Sequence, residues 1–347
     1  MDKTKSRLKK DPRCTVLNGG KFGEFVRLAD GRILTIEGNA TLVSSDKGRT
    51  WSTPRRMCRG AGVGTPGNAG VLLRTPEGVI AYVYMDLEHY HWSWSTTRKE
   101  AGRNVHLDVW AIRSLDEGRT WKDRKRIFAG YCGALIGGIV TRHGVLVVPV
   151  QRLVRDPCRH ALCVYVSADS GVTWQPSNVL DLGGHGHHDG TMEPTLVELQ
   201  DGRLWMLIRT NLGRFWEAFS SDQGRSWRVL QPSQIDASSA PGYLLRLASG
   251  RLALVWNRLR PTRGKTYPVR GGDGQFSRDP VSWHRAELSL AFSEDEGQAW
   301  SDPVVVLRLK DGQLSYPYLF EPEPGQLWIT TRFGDRLAVD IREADFV

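Results

Sequence analysis

The 347-residue sequence contains no apolar run approaching 18 residues, and no apolar stretch follows its basic start. Neither a membrane-spanning helix nor a secretory signal is read from it. Cysteine is scarce: five residues, Cys14, Cys58, Cys132, Cys158 and Cys163, odd in number and without the short paired spacing of metal ligands. That argues against a disulfide framework and fits reduced thiols, so a cytoplasmic location is expected. No linker or shift of composition divides the chain, and residues 1–347 are expected to form one domain. No Lys/Arg block occurs beyond KTKSRLKK at the N-terminus, which reads as a flexible basic tail over residues 1–12. Nucleic acid and membrane are therefore not expected partners. The formal charge of +9 instead suits an acidic sugar or glycan, and 40% hydrophobic residues allow a substantial core.

What the sequence does have is repetition. A short polar box recurs five times: SSDKGRTW (44–51), SLDEGRTW (114–121), SADSGVTW (167–174), SSDQGRSW (220–227) and SEDEGQAW (293–300). A catalytic site needs one set of groups, so five copies indicate architecture. The carboxylates of Asp46, Asp116, Asp169, Asp222 and Asp295 are expected to accept backbone N–H bonds across a turn, with Gly taking the positive φ and Trp packing inward. A second repeat interleaves with the boxes. Six paired apolar stretches turn on a glycine, in RLADGRILTI, LRTPEGVIAYV, VTRHGVLVVPV, ELQDGRLWMLI, RLASGRLALVW and FEPEPGQLWIT. Each reads as a β-hairpin. The first five are each followed by a box, so each unit is four antiparallel strands, and six units close most economically into an all-β six-bladed propeller. The chain before residue 20 is expected to add a strand to the last blade.

Both kinds of turn fall on one face of such a ring. The opposite face receives the starts of first strands, the ends of second strands and the second-to-third connections, and loops held by a rigid scaffold carry function. Those connections are long in the second unit (85–106) and the fifth (257–284). Four residues meet the positional description: Glu193 and Arg209 in the fourth unit, Arg285 in the fifth, and Tyr316 in the sixth.

The boxes together with these four positions resemble the sialidase (neuraminidase) superfamily over nearly the whole chain. The resemblance implies Tyr316 as nucleophile, Glu193 as its base, and Arg209 and Arg285 as two of three arginines that clamp a sugar carboxylate. A neutral phenol avoids the repulsion that an anionic nucleophile meets beside that carboxylate, and the guanidinium fork matches it bidentately. Blade 1 departs from the pattern. The family's first clamp arginine, in an Arg-Ile-Pro context, is replaced by GGKFGEFVRL with Lys21 nearest, and its acid/base Asp has only Glu37 nearby.

Replacements are sought elsewhere on the face. The second-unit stretch MDLEHYHWSW offers Asp86, Glu88, His89 and His91; GHGHHDG before Glu193 offers His185, His187, His188 and Asp189. Of these, Asp86 and His188 are the expected proton-transfer groups. Lys21, His187, Asp189 and Arg258 join the clamp arginines as expected substrate contacts, with Arg98, Arg103, Tyr131 and Arg270 as further pocket candidates. The histidines read as pocket lining rather than a metal site, and no cofactor is expected. The leading expectation is an exo-glycosidase for a terminal acidic sugar, sialic acid by default. The alternatives are a hydrolase or lyase for another uronic-acid glycan, and a non-catalytic propeller that binds acidic glycans.

Overall fold

The computed structural model describes residues 8–17, 19–58 and 70–347. It is a ring of six antiparallel sheets, each contributing four strands, A to D, to one blade. Blade 1 comprises Phe25–Arg27, Ile33–Glu37, Ala40–Ser44 and Arg55–Arg56. Blade 2 comprises Gly70–Arg74, Ile80–Met85, Val109–Ser114 and Lys122–Phe128. Blade 3 follows with Ile139–Val140, Leu146–Val154, Arg159–Ser167 and Gln175–Leu180. Blade 4 is Met192–Glu198, Leu204–Arg209, Arg214–Ser220 and Arg228–Asp236. Blade 5 is Tyr243–Arg246, Leu252–Trp256, Glu287–Ser293 and Val304–Leu309. Blade 6 takes Leu314–Glu323, Gln326–Gly334 and Ala338–Arg342 from the C-terminus and its outer strand, Thr15–Val16, from the N-terminus.

That last pairing closes the ring with the first and last parts of the chain in one sheet, as expected. The tail reading is corrected at Leu8–Lys10, which pairs with Val304–Leu309 as a fifth strand on blade 5. Two lysines on an edge strand leave no apolar alternation to betray it. The A strands of neighbouring blades touch one another and form the inner wall. The core is a series of apolar layers between blades, such as Leu146, Val148 and Val150 with Val71, Val83 and Val109.

The boxes are turns. In the first, Thr50 N–H donates to Asp46 Oδ1 at 2.8 Å, Thr50 Oγ1 to Asp46 Oδ2 at 2.5 Å, and Ser44 Oγ to Asp46 Oδ1 at 2.8 Å. The same backbone bond to the box aspartate recurs at Thr120, Thr173, Ser226 and Ala299. These bonds lower the carboxyl pKa, to about 2 at Asp46. The box glycine is also a packing residue. A Cβ on Gly118 would lie 2.2 Å from Leu34 Cδ1 of blade 1, so the box of blade 2 docks closely on its neighbour.

The two long B–C connections each carry a two-stranded ribbon, Trp94–Ser95 with Glu100–Ala101 in blade 2 and Val269–Gly271 with Pro280–Ser282 in blade 5. Both sit on the face opposite the boxes, where the candidate site lies.

Candidate active site

Glu193 and Tyr316 sit near the starts of the A strands of blades 4 and 6, each followed by proline. Proline lacks a ladder N–H, and both strands are irregular there, with a register shift between Met192 and Thr195 and no pair formed by Tyr316. Both residues have positive φ, 42° at Glu193 and 56° at Tyr316. Left-handed backbone at bulky non-glycine residues costs roughly 1–3 kcal/mol each and concentrates at functional sites. Here it turns the two side chains toward each other.

Tyr316 Oη donates to Glu193 Oε1 at 2.5 Å. Arg209, at the end of strand B of blade 4, donates from Nη1 to Glu193 Oε2 at 2.5 Å and to Tyr316 Oη at 3.4 Å. Its Nε and Nη2 both donate to Ser239 Oγ, at 3.2 and 2.9 Å. Arg285 precedes strand C of blade 5; its Nη2 donates to the Ser239 carbonyl at 2.6 Å and its guanidinium lies 3.6 Å from the centroid of Trp283. All four of these side chains are buried: Glu193, Arg209, Arg285 and Tyr316 are 5%, 1%, 4% and 6% exposed.

The charges do not balance. Two buried guanidinium groups face one carboxylate, and Arg285 Nε is buried with no hydrogen-bond partner among the described residues. Burial and the charge of Arg209 push the Arg285 pKa down from 12.5 to about 10. Burial and the Glu193 carboxylate hold the Tyr316 phenol well above its ordinary value, opposed by the two arginines. Arg209 is committed on all three nitrogens to Glu193, Tyr316 and Ser239, so of the two guanidinium groups Arg285 is the less engaged among the described residues.

The histidine loop borders this group. His188 stacks on Phe276 of the blade 5 ribbon at 4.5 Å, and its Nδ1 contacts His187 Nδ1. Burial, reinforced by Arg209, pushes the His188 pKa far below the ordinary histidine value and keeps the ring neutral. A neutral ring carries no imidazolium proton at neutral pH. His187 packs against Trp92, Trp94 and Phe276. Asp189 organises the loop: its carboxylate accepts from the N–H groups of His185 and Gly190 and from Asn211 Nδ2. Asn211 in turn accepts from Ser239 Oγ at 2.6 Å, tying the loop to both arginines.

Other expected contacts lie elsewhere. Asp86 turns toward Arg124 on the outer strand of blade 2 and toward His89, at 3.5 and 3.2 Å. Among the described residues, Asp86, Glu88 and His89 are the one group of three metal-type donors within 4.8 Å of each other. Lys21 pairs with Glu37 at 2.9 Å, and Arg258 with Asp236 at 3.2 Å. Among the described residues no hydrogen bond or ion pair joins Asp86, Lys21 or Arg258 to the Tyr316–Glu193 pair.

Sequence reasoning missed Ser239, Asn211 and Trp283, and a second buried pair. Arg332, on strand B of blade 6, donates to Glu24 Oε1 of blade 1 and to the Ile136 carbonyl of blade 3. Burial outweighs the pull of Arg332 and raises Glu24 to about 7. A cavity of about 470 Å³ lies away from this chemistry, between the A strands of blades 3, 4 and 5 and lined by Ile139, Val197 and Leu244.

A sialidase-like propeller with a buried Tyr–Glu–Arg group is the class that fold and site define. The BNR repeat-like domain family matches residues 43–329, and the chain belongs to that family. No curated protein matches it in sequence. Among solved structures, a Dyadobacter fermentans protein of unknown function is similar with TM-score 0.65 and 15% identity, over 96% of this chain and 98% of that one. The Streptococcus pneumoniae NanB sialidase, as its K499G mutant, is similar with TM-score 0.62 and 13% identity, over 97% and 71%. A Trypanosoma rangeli sialidase holding 2,3-difluorosialic acid as a covalent intermediate is similar with TM-score 0.59 and 14% identity, over 97% and 59%. At these identities the likeness is one of fold.

Proposed function

We propose that the protein is a retaining exo-glycosidase for a terminal acidic sugar, with sialic acid the substrate suggested by the fold. The observation that carries this reading is the 2.5 Å Tyr316–Glu193 hydrogen bond set against two buried guanidinium groups and a single carboxylate. A pure binding site needs cations but not a phenol poised on a base. The sugar carboxylate pairs with Arg285 and satisfies its open nitrogen. Tyr316 Oη then bonds to the anomeric carbon as the leaving oxygen departs, and its proton passes to Glu193. Attack of water on the glycosyl–tyrosine restores the phenol, Glu193 returning its proton to Tyr316 as the bond to the sugar breaks; the attacking water loses one proton to solvent, which balances the solvent proton taken up by the departed leaving oxygen. Arg209, in contact with both residues, stabilises the phenolate as it forms.

None of the four residues donates a proton to the leaving oxygen, and His188 is held neutral. Glycosides with acidic leaving groups, such as aryl glycosides, are therefore the better substrates. The test is release of fluorophore from an aryl sialoside, with aryl glucuronide and galacturonide in parallel, for wild type and Tyr316→Phe. Sialoside turnover lost in the variant supports the reading. Turnover of a uronide alone moves the same chemistry to another acidic sugar, and turnover of none leaves an acidic-glycan-binding propeller.

A further inference from the structure

The blade 5 insertion over residues 258–284 carries six cations, Arg258, Arg260, Arg263, Lys265, Arg270 and Arg278, against two acids, Asp273 and Asp279. Arg260, Arg263, Lys265, Arg270 and Arg278 are exposed. Among the described residues, only Arg258 of the six has a carboxylate partner, and Asp273 spends its carboxylate on the N–H groups of Gln275 and Phe276. The blade 2 insertion carries no excess of cations, with Arg98, Lys99 and Arg103 against Asp86, Glu88, Glu100 and Asp108; Arg98 lies 3.6 Å from Glu100, and Lys99 Nζ donates to the Asp273 carbonyl of the blade 5 insertion at 2.9 Å. The excess of cations is carried by the blade 5 insertion, and Lys99 joins it from blade 2.

The insertion is anchored to the site by its ribbon. His187 and His188 donate backbone N–H bonds to the carbonyls of Gln275 and Phe276, both at 2.9 Å. Arg270 lies over Phe276 and Trp283, at 4.5 and 4.6 Å, and Trp283 also packs against Arg285 at 3.6 Å. One tryptophan thus touches the buried cation that meets the first anion and the exposed cation beside it.

We infer that the blade 5 insertion, with Arg270 as its principal contact, binds a second anionic group on the leaving-group side of the substrate, so that the preferred ligand is an acidic glycan with charge on consecutive residues. This rests on the proposal that Arg285 holds the carboxylate of the terminal sugar. One carboxylate offsets one guanidinium; a second, about one sugar further on, meets the exposed cations. Aromatic faces beneath Arg270 restrict its rotamers and supply apolar surface for a sugar ring.

The experiment is calorimetric binding to Tyr316→Phe protein, which binds without turnover. The probes are lactose bearing one terminal sialic acid and lactose bearing two consecutive ones, with mono- and di-uronide saccharides in parallel. At about 0.05 M salt the two-acid ligand is expected to bind about tenfold tighter, and in about 0.5 M salt the advantage falls to about twofold, since exposed charges are screened. Adding Arg270→Ala brings the ratio toward one. Equal affinity for one- and two-acid ligands, a ratio untouched by Arg270→Ala, or no binding of all four overturns the inference. Wild-type turnover of the aryl sialoside reports separately on the hydrolytic reading, so either can fail alone.

Discussion

Replacing Arg285 with methionine is expected to stabilise the protein while destroying its affinity for acidic sugars. Arg285 is 4% exposed, its Nε has no partner among the described residues, and its pKa falls from 12.5 to about 10. A depression of that size corresponds to about 3 kcal/mol of unfavourable environment for the charged form. The sign follows from linkage: the folded state releases this proton more readily than the unfolded one, so the penalty is fully present at neutral pH and is recovered only as pH rises through the folded value. Methionine removes the charge and keeps an unbranched stem against Trp283. Against the gain stand the hydrogen bond to Ser239 O, about 1 kcal/mol, and the cation–π contact, about 1 kcal/mol beyond what the thioether restores. The net expectation is about 1 kcal/mol of stabilisation. With an unfolding entropy of roughly 0.7 kcal/mol/K for 347 residues, that is a rise in Tm of roughly 1 to 2 °C. The assay is thermal unfolding with and without sialic acid. A ligand at 100 times its Kd adds about 2.7 kcal/mol to wild type, or roughly 4 °C, and nothing to Arg285→Met. A variant that melts earlier than wild type, or one that still responds to ligand, would refute the reasoning about the uncompensated charge.

Glu193→Gln should lower kcat on the aryl sialoside by about 10²- to 10⁴-fold with no rise in KM, because it removes the proton acceptor and leaves the cations; a loss below tenfold contradicts Glu193 as base. Glu24, raised from 4.5 to about 7, takes up a proton in the fold before it does in the unfolded chain. Its contribution to stability, about 3 kcal/mol, is present below about pH 4.5 and lost as pH rises to about 7, so urea midpoints measured between those values should fall with pH in wild type and change less in Glu24→Gln. The box aspartates act in the opposite direction. Their carboxyls are depressed, to about 2 at Asp46, so the stability they supply is lost on acidification from about pH 4 toward 2, and Thr50→Val should shift that acid transition upward if the side-chain bond matters. Equal acid midpoints for the two proteins would show that it does not.

The propeller was legible because its strands and turns recur with the same residue types at the same offsets. Gly, Ser, Asp and Trp in a box each answer a local backbone need, and local needs are written locally. That Glu193, Arg209, Arg285 and Tyr316 come together was legible from where they fall along the blades, once the face opposite the boxes was chosen. Ser239 was not, because its role rests on a hydroxyl and a carbonyl that meet side chains 30 and 46 positions away. The orientation of Asp86 could have been read from strand alternation: Tyr84 shares its face, and both bond to Arg124 on the outer strand. The positive φ at Glu193 and Tyr316 carried only a faint signal, the proline after each.

The measurement that tests the central claim most directly is intact and peptide mass spectrometry after incubation with 2,3-difluorosialic acid, the ligand held covalently in the similar Trypanosoma rangeli sialidase. A single adduct on the peptide containing Tyr316, absent from Tyr316→Phe, is the predicted result. An unmodified protein that nevertheless turns over the aryl sialoside, or an adduct on any other residue, would contradict Tyr316 as the nucleophile.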